Sequence, residues 1–303
     1  MSLSPSSLWP LLFVSSFACG PTLLDTAEED LPTYEELPEL ITCDTPMEGS
    51  GDVVGDVACS GGICTIAGGS AWLGSDLGEP DECPPRIVEI LEFSIDQTEV
   101  TRGQYAACED SGSCSEIPEY CDYWAESITE DADLDDLPVI CVDWSQADDY
   151  CAWAGGRLPT EAEWEKSARG TEGATWPWGG DAPLCEEANF KFASWYCFEG
   201  VVEVGFYSHI MTAYGLFDTT GNAWEWVADY YDAHYYEDAP STDPSGPESD
   251  CHRTWGGEPG DCEDRVLRGG AYNTTESTTR GSARSNASPD IADVNIGFRC
   301  AYD

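Results

Sequence analysis

The stretch RGGAYNTTESTTRGSARSNASPDIADVNIGFRC, residues 268–300, decides how this chain is read. Gly269 and Gly270 stand side by side between strand-like neighbours, which marks a bulge or a close approach of backbone to another group. Arg280 and Arg284 follow in its middle. Asn295, Ile296 and Gly297 read as a turn into a short, buried terminal strand that runs to Cys300. Upstream, two helices carry clear punctuation. Ser145 and Asp148 have capping-box spacing, and Gly155 stops that helix after Ala154. Thr160 and Glu163 repeat the box, and Gly170 ends the second helix. Ala147, Tyr150, Cys151 and Ala154 share a face of the first; Ala162, Trp164, Glu165 and Ala168 nearly do so on the second. Residues 156–159 form so short a connection that the helices must be neighbours, and both read as scaffold.

Residues 66–74 and 86–96 alternate as strands do, and Thr101 is placed to cap a helix over residues 102–109. Residues 176–226 are aromatic and loop-rich, and 230–263 form an irregular acidic insertion containing Cys251 and Cys262. So much Gly, Pro and Trp outside helices predicts one α+β domain with little regular secondary structure, over residues 62–303. Residues 20–58 are acidic, with prolines at 21, 32, 38 and 46 and few large apolar side chains. Such a segment buries too little surface to offset ordering and reads as a disordered tether. The apolar run 8–14 is too short for a mature transmembrane helix and fits the h-region of a signal peptide over residues 1–19.

The 303 residues include 12 Lys+Arg against 59 Asp+Glu, a formal charge of −47. Nucleic acid and anionic membrane surfaces are repelled by such a chain. A solvated acidic coat explains the charge; a surface that gathers divalent cations is the alternative. Fifteen cysteines exceed what a reduced compartment supports, so an oxidising one and a disulfide-rich frame are expected. The odd count asks for one cysteine outside the bridges. A local bridge between Cys59 and Cys64 is plausible, while Cys108, Cys114 and Cys121 crowd one segment. Cys185–Cys197 and Cys251–Cys262 are expected as local bridges. Arg157, Arg268, Arg280, Arg284 and Arg299, in so acidic a chain, are expected to pair internally with carboxylates or loop carbonyls; a carboxylate-binding pocket is the other reading. His209, His234 and His252 lack metal-site spacing.

With GGRLPTEAEWE at 155–165 and GNAWEW at 221–226, the 268–300 stretch resembles the signature of the sulfatase-modifying-factor family, which contains the formylglycine-generating enzyme. Three motifs fall in the family's order between about Ile66 and Cys300. The resemblance implies a formylglycine-generating-enzyme-like fold related to C-type lectins. It implies a Cys151–Cys300 disulfide, and it places a second family disulfide at Ala168 and Gly281, where both halves are missing together. It implies calcium as cofactor, held at Asp218, Gly221, Ala223 and Glu225; the family usually has Asn at the first of these. Calcium takes six to eight oxygens at roughly 2.3–2.6 Å, a number that carbonyls turned inward by a Gly-Asn turn help to reach. A capped turn in which Glu225 accepts backbone hydrogen bonds is the alternative. The family's other calcium site begins at an Asn-apolar pair matching Asn189 and Phe190, but its acidic ligand has no convincing counterpart in residues 191–204.

In the active enzyme two cysteines a few residues past Gly-Gly-Ser-Tyr bind copper as thiolates. Here residues 269–279 contain no cysteine, the serine is Ala271, and the loop is shorter, so copper is not expected; hydroxyls and a carboxylate are hard ligands. Trp224, Ala271, Tyr272, Asn273, Thr274, Arg280 and Arg284 would line the former substrate cleft. The iron-dependent sulfoxide synthases that share this domain carry a His-rich helical domain with no match here. Cys19, after small residues at the end of the apolar run, looks like a bacterial lipoprotein acylation site, although no Lys or Arg precedes it and Ser16 replaces the usual Leu. Plain cleavage near Ala18 is the alternative. Together these features lead us to expect an exported, secreted or lipid-anchored binding or accessory module for a protein or peptide ligand, touching membrane only through Cys19. The alternative is a metal-dependent oxidoreductase of different chemistry.

Overall fold

The computed structural model describes residues 58–121, 133–248 and 263–303. Cys19, Cys43, Cys251, His252, Cys262 and nearly all of the tether therefore lie outside the described residues. The strands, in chain order, are β1 (Cys59–Ser60), β2 (Ile63–Ile66), β3 (Gly69–Leu73), β4 (Arg86–Ile90), β5 (Phe93–Asp96), β6 (Lys191–Phe192), β7 (Trp195–Tyr196), β8 (Trp224–Tyr230), β9 (Arg265–Arg268), β10 (Ser285–Ala287), β11 (Ile296–Phe298) and β12 (Ala301–Tyr302). One sheet has the order β1-β2-β5-β12 and another β10-β9-β8-β11, with β11 parallel to β8. The last strand thus closes on the first sheet, bringing the two ends of the domain together. β3–β4 and β6–β7 are separate hairpins. No helix among the described residues is long and apolar enough to cross a membrane.

The helices are α1 (Arg102–Ser111), α2 (Trp144–Trp153), α3 (Glu161–Arg169) and the short α4 (Tyr235–Asp238). Thr101 caps α1 by accepting from Gln104 N, and Gly112 ends it at φ 76°. Thr160 and Glu163 form the expected reciprocal box on α3, and Gly170 follows it. The start of α2 corrects the sequence reading. Asp143, not Ser145, is the cap, boxed with Gln146, while the Ser145 hydroxyl donates to the same Asp143 carboxylate. Asp accepts at a cap at least as well as Ser, and an Asp-x-x-Gln box has the same spacing two residues earlier.

The main core lies where α1 and α2 meet β8 and β11, with Tyr105, Tyr150, Leu158, Trp226 and Phe298 buried together. A second core joins β2 to β5 with Ala162, Leu216 and Tyr236. Disulfides fasten this frame at Cys59–Cys64, Cys108–Cys114, Cys121–Cys141, Cys151–Cys300 and Cys185–Cys197. Cys151–Cys300 ties α2 to the link between β11 and β12, as the resemblance implied. The other family bridge is replaced by packing: a Cβ on Gly281 would stand 2.4 Å from Arg169 Cγ, one residue beyond Ala168.

α3 differs from an amphipathic surface helix. Every one of its residues is buried, including Glu161, Glu165, Lys166 and Arg169. Buried charge is tolerated only when paired and hydrogen-bonded, and here it is. Arg268 donates to Glu161 at 3.1 Å and Glu165 at 2.7 Å, and Arg284 grips both oxygens of Glu161 at 2.7 and 2.9 Å. Arg169 bonds Glu165 from the same helix. Burial pushes the Glu161 carboxyl up, but the two facing guanidinium groups outweigh it and hold the carboxyl below its ordinary value. Lys166 instead donates Nζ to the carbonyls of Ala67 and Gly69 at 2.8 and 3.1 Å, pinning α3 to the start of β3.

Candidate functional site

β9 runs into Gly269 and Gly270, both with positive φ (92° and 77°). At Gly270 a Cβ would lie 2.8 Å from Thr279 Cγ2 and 3.0 Å from Thr278 O, so the close approach read from the sequence is real and folds residues 271–279 back on themselves. Ala271 N donates to Thr274 Oγ1 at 2.9 Å, and Thr278 Oγ1 donates to the same hydroxyl at 2.8 Å. Asn273 Oδ1 accepts from Asn295 at 3.0 Å, and Thr279 Oγ1 from the Trp176 indole at 3.3 Å. Hydroxyls and amides, not thiols, therefore hold this loop. Every cysteine among the described residues is disulfide-bonded.

Several residues expected to line an open cleft are enclosed instead. Ala271 is wholly buried, and Trp224 and Tyr272 are buried in two different apolar clusters. Burial pushes the Tyr272 hydroxyl up to about 12. Arg280 and Arg284 are also buried, because each finds a carboxylate far away in the chain. Arg280 is bidentate to Glu82 at 2.6 and 2.6 Å, and Arg284 is bidentate to Glu161. Burial raises the Glu82 carboxyl, yet the Arg280 guanidinium outweighs it and leaves it lowered. Arg157 completes the internal pairing with Glu163 at 2.7 and 2.8 Å. Of the expected cleft residues only Asn273 and Thr274 reach the surface, in part, followed by exposed Thr275, Glu276 and Ser277.

The positions aligned with calcium come together around Arg299. Glu225 is fully buried and accepts from Arg299 Nε and Nη2 at 2.6 and 2.7 Å and from the Trp164 indole at 2.7 Å. It therefore answers an ion pair rather than the backbone of a turn. Asp218, at φ 60°, accepts from Gly205 N at 2.6 Å. Gly221 also needs its positive φ (81°), and a Cβ there would meet Asn189 O at 2.1 Å. A residue the sequence reading did not place, Glu99, joins them: it accepts from Ala223 N at 3.1 Å and from Asn222 Nδ2 at 2.9 Å. Burial, then the charges of Asp218 and Glu225, push the Glu99 carboxyl well up, and burial pushes Asp218 up to about 6. Arg299 thus pairs with Glu225, while burial disfavours the charged forms of the neighbouring Glu99 and Asp218. No three acidic, His or Cys side chains converge closely enough for a metal among the described residues, so main-chain oxygens would have to supply most of the ligands. At the family's other site, Asn189 Oδ1 is buried with no partner among the described residues, while the Phe190 carbonyl accepts from Cys197 N at 3.0 Å.

Lys191 N donates to Thr274 O at 2.8 Å, which sets the β6–β7 hairpin against the 273–279 loop. This hairpin was visible in the sequence only as aromatic composition. The fold makes it a surface: Phe192, Trp195, Tyr196 and Phe198 are exposed, as is Phe206 beyond them.

Known proteins share this architecture. The streptomycete (Streptomyces coelicolor) formylglycine-generating enzyme is 31% identical over 294 residues, covering 80% of this chain and 89% of the relative. The bovine (Bos taurus) inactive C-alpha-formylglycine-generating enzyme 2 is 34% identical over 184 residues, covering 55% of this chain and 49% of the relative. Among solved structures, PvdO from Pseudomonas aeruginosa superposes with a TM-score of 0.63 at 26% identity, over 80% of this chain and 94% of that one. The family described as the sulfatase-modifying factor enzyme 1-like domain matches residues 56–303. That span takes in both sheets, the α3 ion pairs and the thiol-free loop, and the chain belongs to this family.

Proposed function

We propose that this chain is a binding or accessory module of its family, without formylglycine-generating activity, that holds a protein or peptide ligand on the face made by residues 273–278 and the β6–β7 hairpin. The observation that carries this reading is the 269–279 loop, which has no cysteine and is closed on the Thr274 hydroxyl by the Ala271 N–H and the Thr278 hydroxyl. Thiolate is the soft ligand that a copper site of this kind needs, and threonine hydroxyls do not replace it. The described cysteines, all in disulfides, offer no substitute thiolate. The likeness to the bovine inactive C-alpha-formylglycine-generating enzyme 2 supports the same reading. Export, with Cys19 lipidated at the cell envelope, belongs to the proposal and rests on the first 19 residues alone. Incubation of the protein with a sulfatase-type cysteine peptide, copper and oxygen is expected to leave the peptide mass unchanged. Loss of the thiol sulfur with formation of an aldehyde would refute the proposal.

Calcium belongs to it as a structural cofactor. Asp218 with the carbonyls of Gly221 and Ala223 would hold the ion, and Glu225 would remain tied to Arg299. Bound there, calcium would favour the ionised form of Asp218, which burial disfavours. Binding only to the folded state raises stability with ligand concentration. The melting temperature of chelator-treated protein is expected to climb on adding calcium, and Asp218→Ala to remove most of that climb. A wild-type melt indifferent to calcium would remove the ion from the proposal.

A further inference from the structure

The hairpin beside the 273–279 loop presents aromatic rings to solvent in a fixed arrangement. Trp195 is 56% and Phe206 52% exposed. Phe192 packs on Trp195 with centroids 5.4 Å apart, and Phe198 packs edge-on to Phe206 at 5.4 Å. The backbone beneath is braced by the Cys185–Cys197 disulfide, by Cys197 N donating to Phe190 O at 3.0 Å, and by the Tyr207 hydroxyl donating to Cys185 O at 3.1 Å. Rings held this way lose little conformational freedom when a partner covers them. A grouped aromatic patch rimmed by polar groups marks an interaction surface.

Charge says which partner. Glu186 and Glu199 are exposed near the ring-bearing segments in the chain, and Glu276 is exposed on the 273–279 loop that Lys191 N joins to the hairpin. The face of an aromatic ring is itself electron-rich and attracts cations. Lys191 already lies over the Tyr196 ring at 5.4 Å, and elsewhere Arg265 is sandwiched between Tyr230 and Trp144 at 3.5 and 3.8 Å. The chain has few cations to offer its own surface: Lys166, Arg169, Arg268, Arg280, Arg284 and Arg299 are all buried. β7 is the outer strand of a two-stranded sheet, with no strand on its far edge among the described residues. That edge suits an extended chain.

We infer that this aromatic ledge docks an extended, Arg/Lys-rich segment of a partner protein, which lies along β7 with its cationic side chains over the rings and against the flanking carboxylates. The inference rests on the binding-module reading and names the partner's chemistry. The test uses the full chain and two fluorescent peptides of one length, one alternating Arg and Ser and the other with every Arg replaced by Gln. The Arg peptide is expected to bind, more weakly as salt rises, and at least about tenfold more tightly than the Gln peptide. Trp195→Ala with Phe198→Ala is expected to cost the Arg peptide about tenfold in affinity, with the melting temperature unchanged. Glu199→Gln with Glu276→Gln should flatten the salt dependence. Equal binding of the Gln peptide would point to an apolar partner. Arg-peptide binding that survives loss of both rings would show only attraction to a polyanion. Either result overturns the inference while leaving the binding module standing, whereas conversion of a cysteine peptide to aldehyde strikes the module itself.

Discussion

Arg268→Ala is expected to lose about 3–5 kcal/mol of stability, because removing one partner of a buried ion pair leaves the other charge uncompensated. Arg268 is wholly buried, and its guanidinium joins Glu161 and Glu165 to the carbonyls of Gly281 and Ser282. The two glutamates keep Arg284 and Arg169, but neither remaining arginine reaches the place that Arg268 leaves. Asp303→Ala is the control: its side chain is 85% exposed where it meets Arg157 at 2.8 Å, and exposed pairs contribute about 0–1 kcal/mol. Urea unfolding of both variants decides the matter. Equal losses would mean that the ion pairs around α3 are not a main source of the domain's stability.

The second large effect belongs to the disulfide between Cys151 and Cys300, which spans 149 residues. Replacing both by Ala is expected to cost about 5 kcal/mol in the chain-entropy account, because the bridge restricts so long a loop in the unfolded state. Removing Cys59–Cys64, a separation of 5, should cost only about 2 kcal/mol on the same account. With total stabilities of about 5–15 kcal/mol, the first loss brings the domain close to unfolding and the second does not. Matching losses for the two double variants would show that loop length is not the governing factor.

What the sequence made legible was local or carried by family signature. Thr101, Thr160 and Glu163 announce helix starts because a cap and its partner lie three residues apart. Cys151 and Cys300 were legible only through the resemblance, since spacing alone does not choose among pairings. At α2 two overlapping boxes competed, and the Asp143 carboxylate prevailed. Arg280 and Arg284 were expected at a cleft although the residues themselves suggested internal pairing. Their partners, Glu82 and Glu161, lie 198 and 123 residues away, beyond the reach of any local pattern. Glu99 escaped for the same reason, meeting Ala223 across 124 residues. The aromatic ledge was present as composition, but which rings face solvent depends on the Lys191 bridge to the 273–279 loop.

The ion pairs around α3 also set an order of events in time. Glu161 and Glu165 emerge from the ribosome more than a hundred residues before Arg268 and Arg284, and Glu225 emerges 74 before Arg299. Until those arginines arrive, Glu161 and Glu165 have only Arg169 among their guanidinium partners, and a helix carrying them has no means of entering an apolar interior. Contacts of such long sequence separation form late and slowly. The domain therefore closes only when its last strands are released, and a nascent chain ending before residue 265 remains open. Such delay keeps the polypeptide extended, and so able to thread a narrow pore, until residues 265–300 have been made.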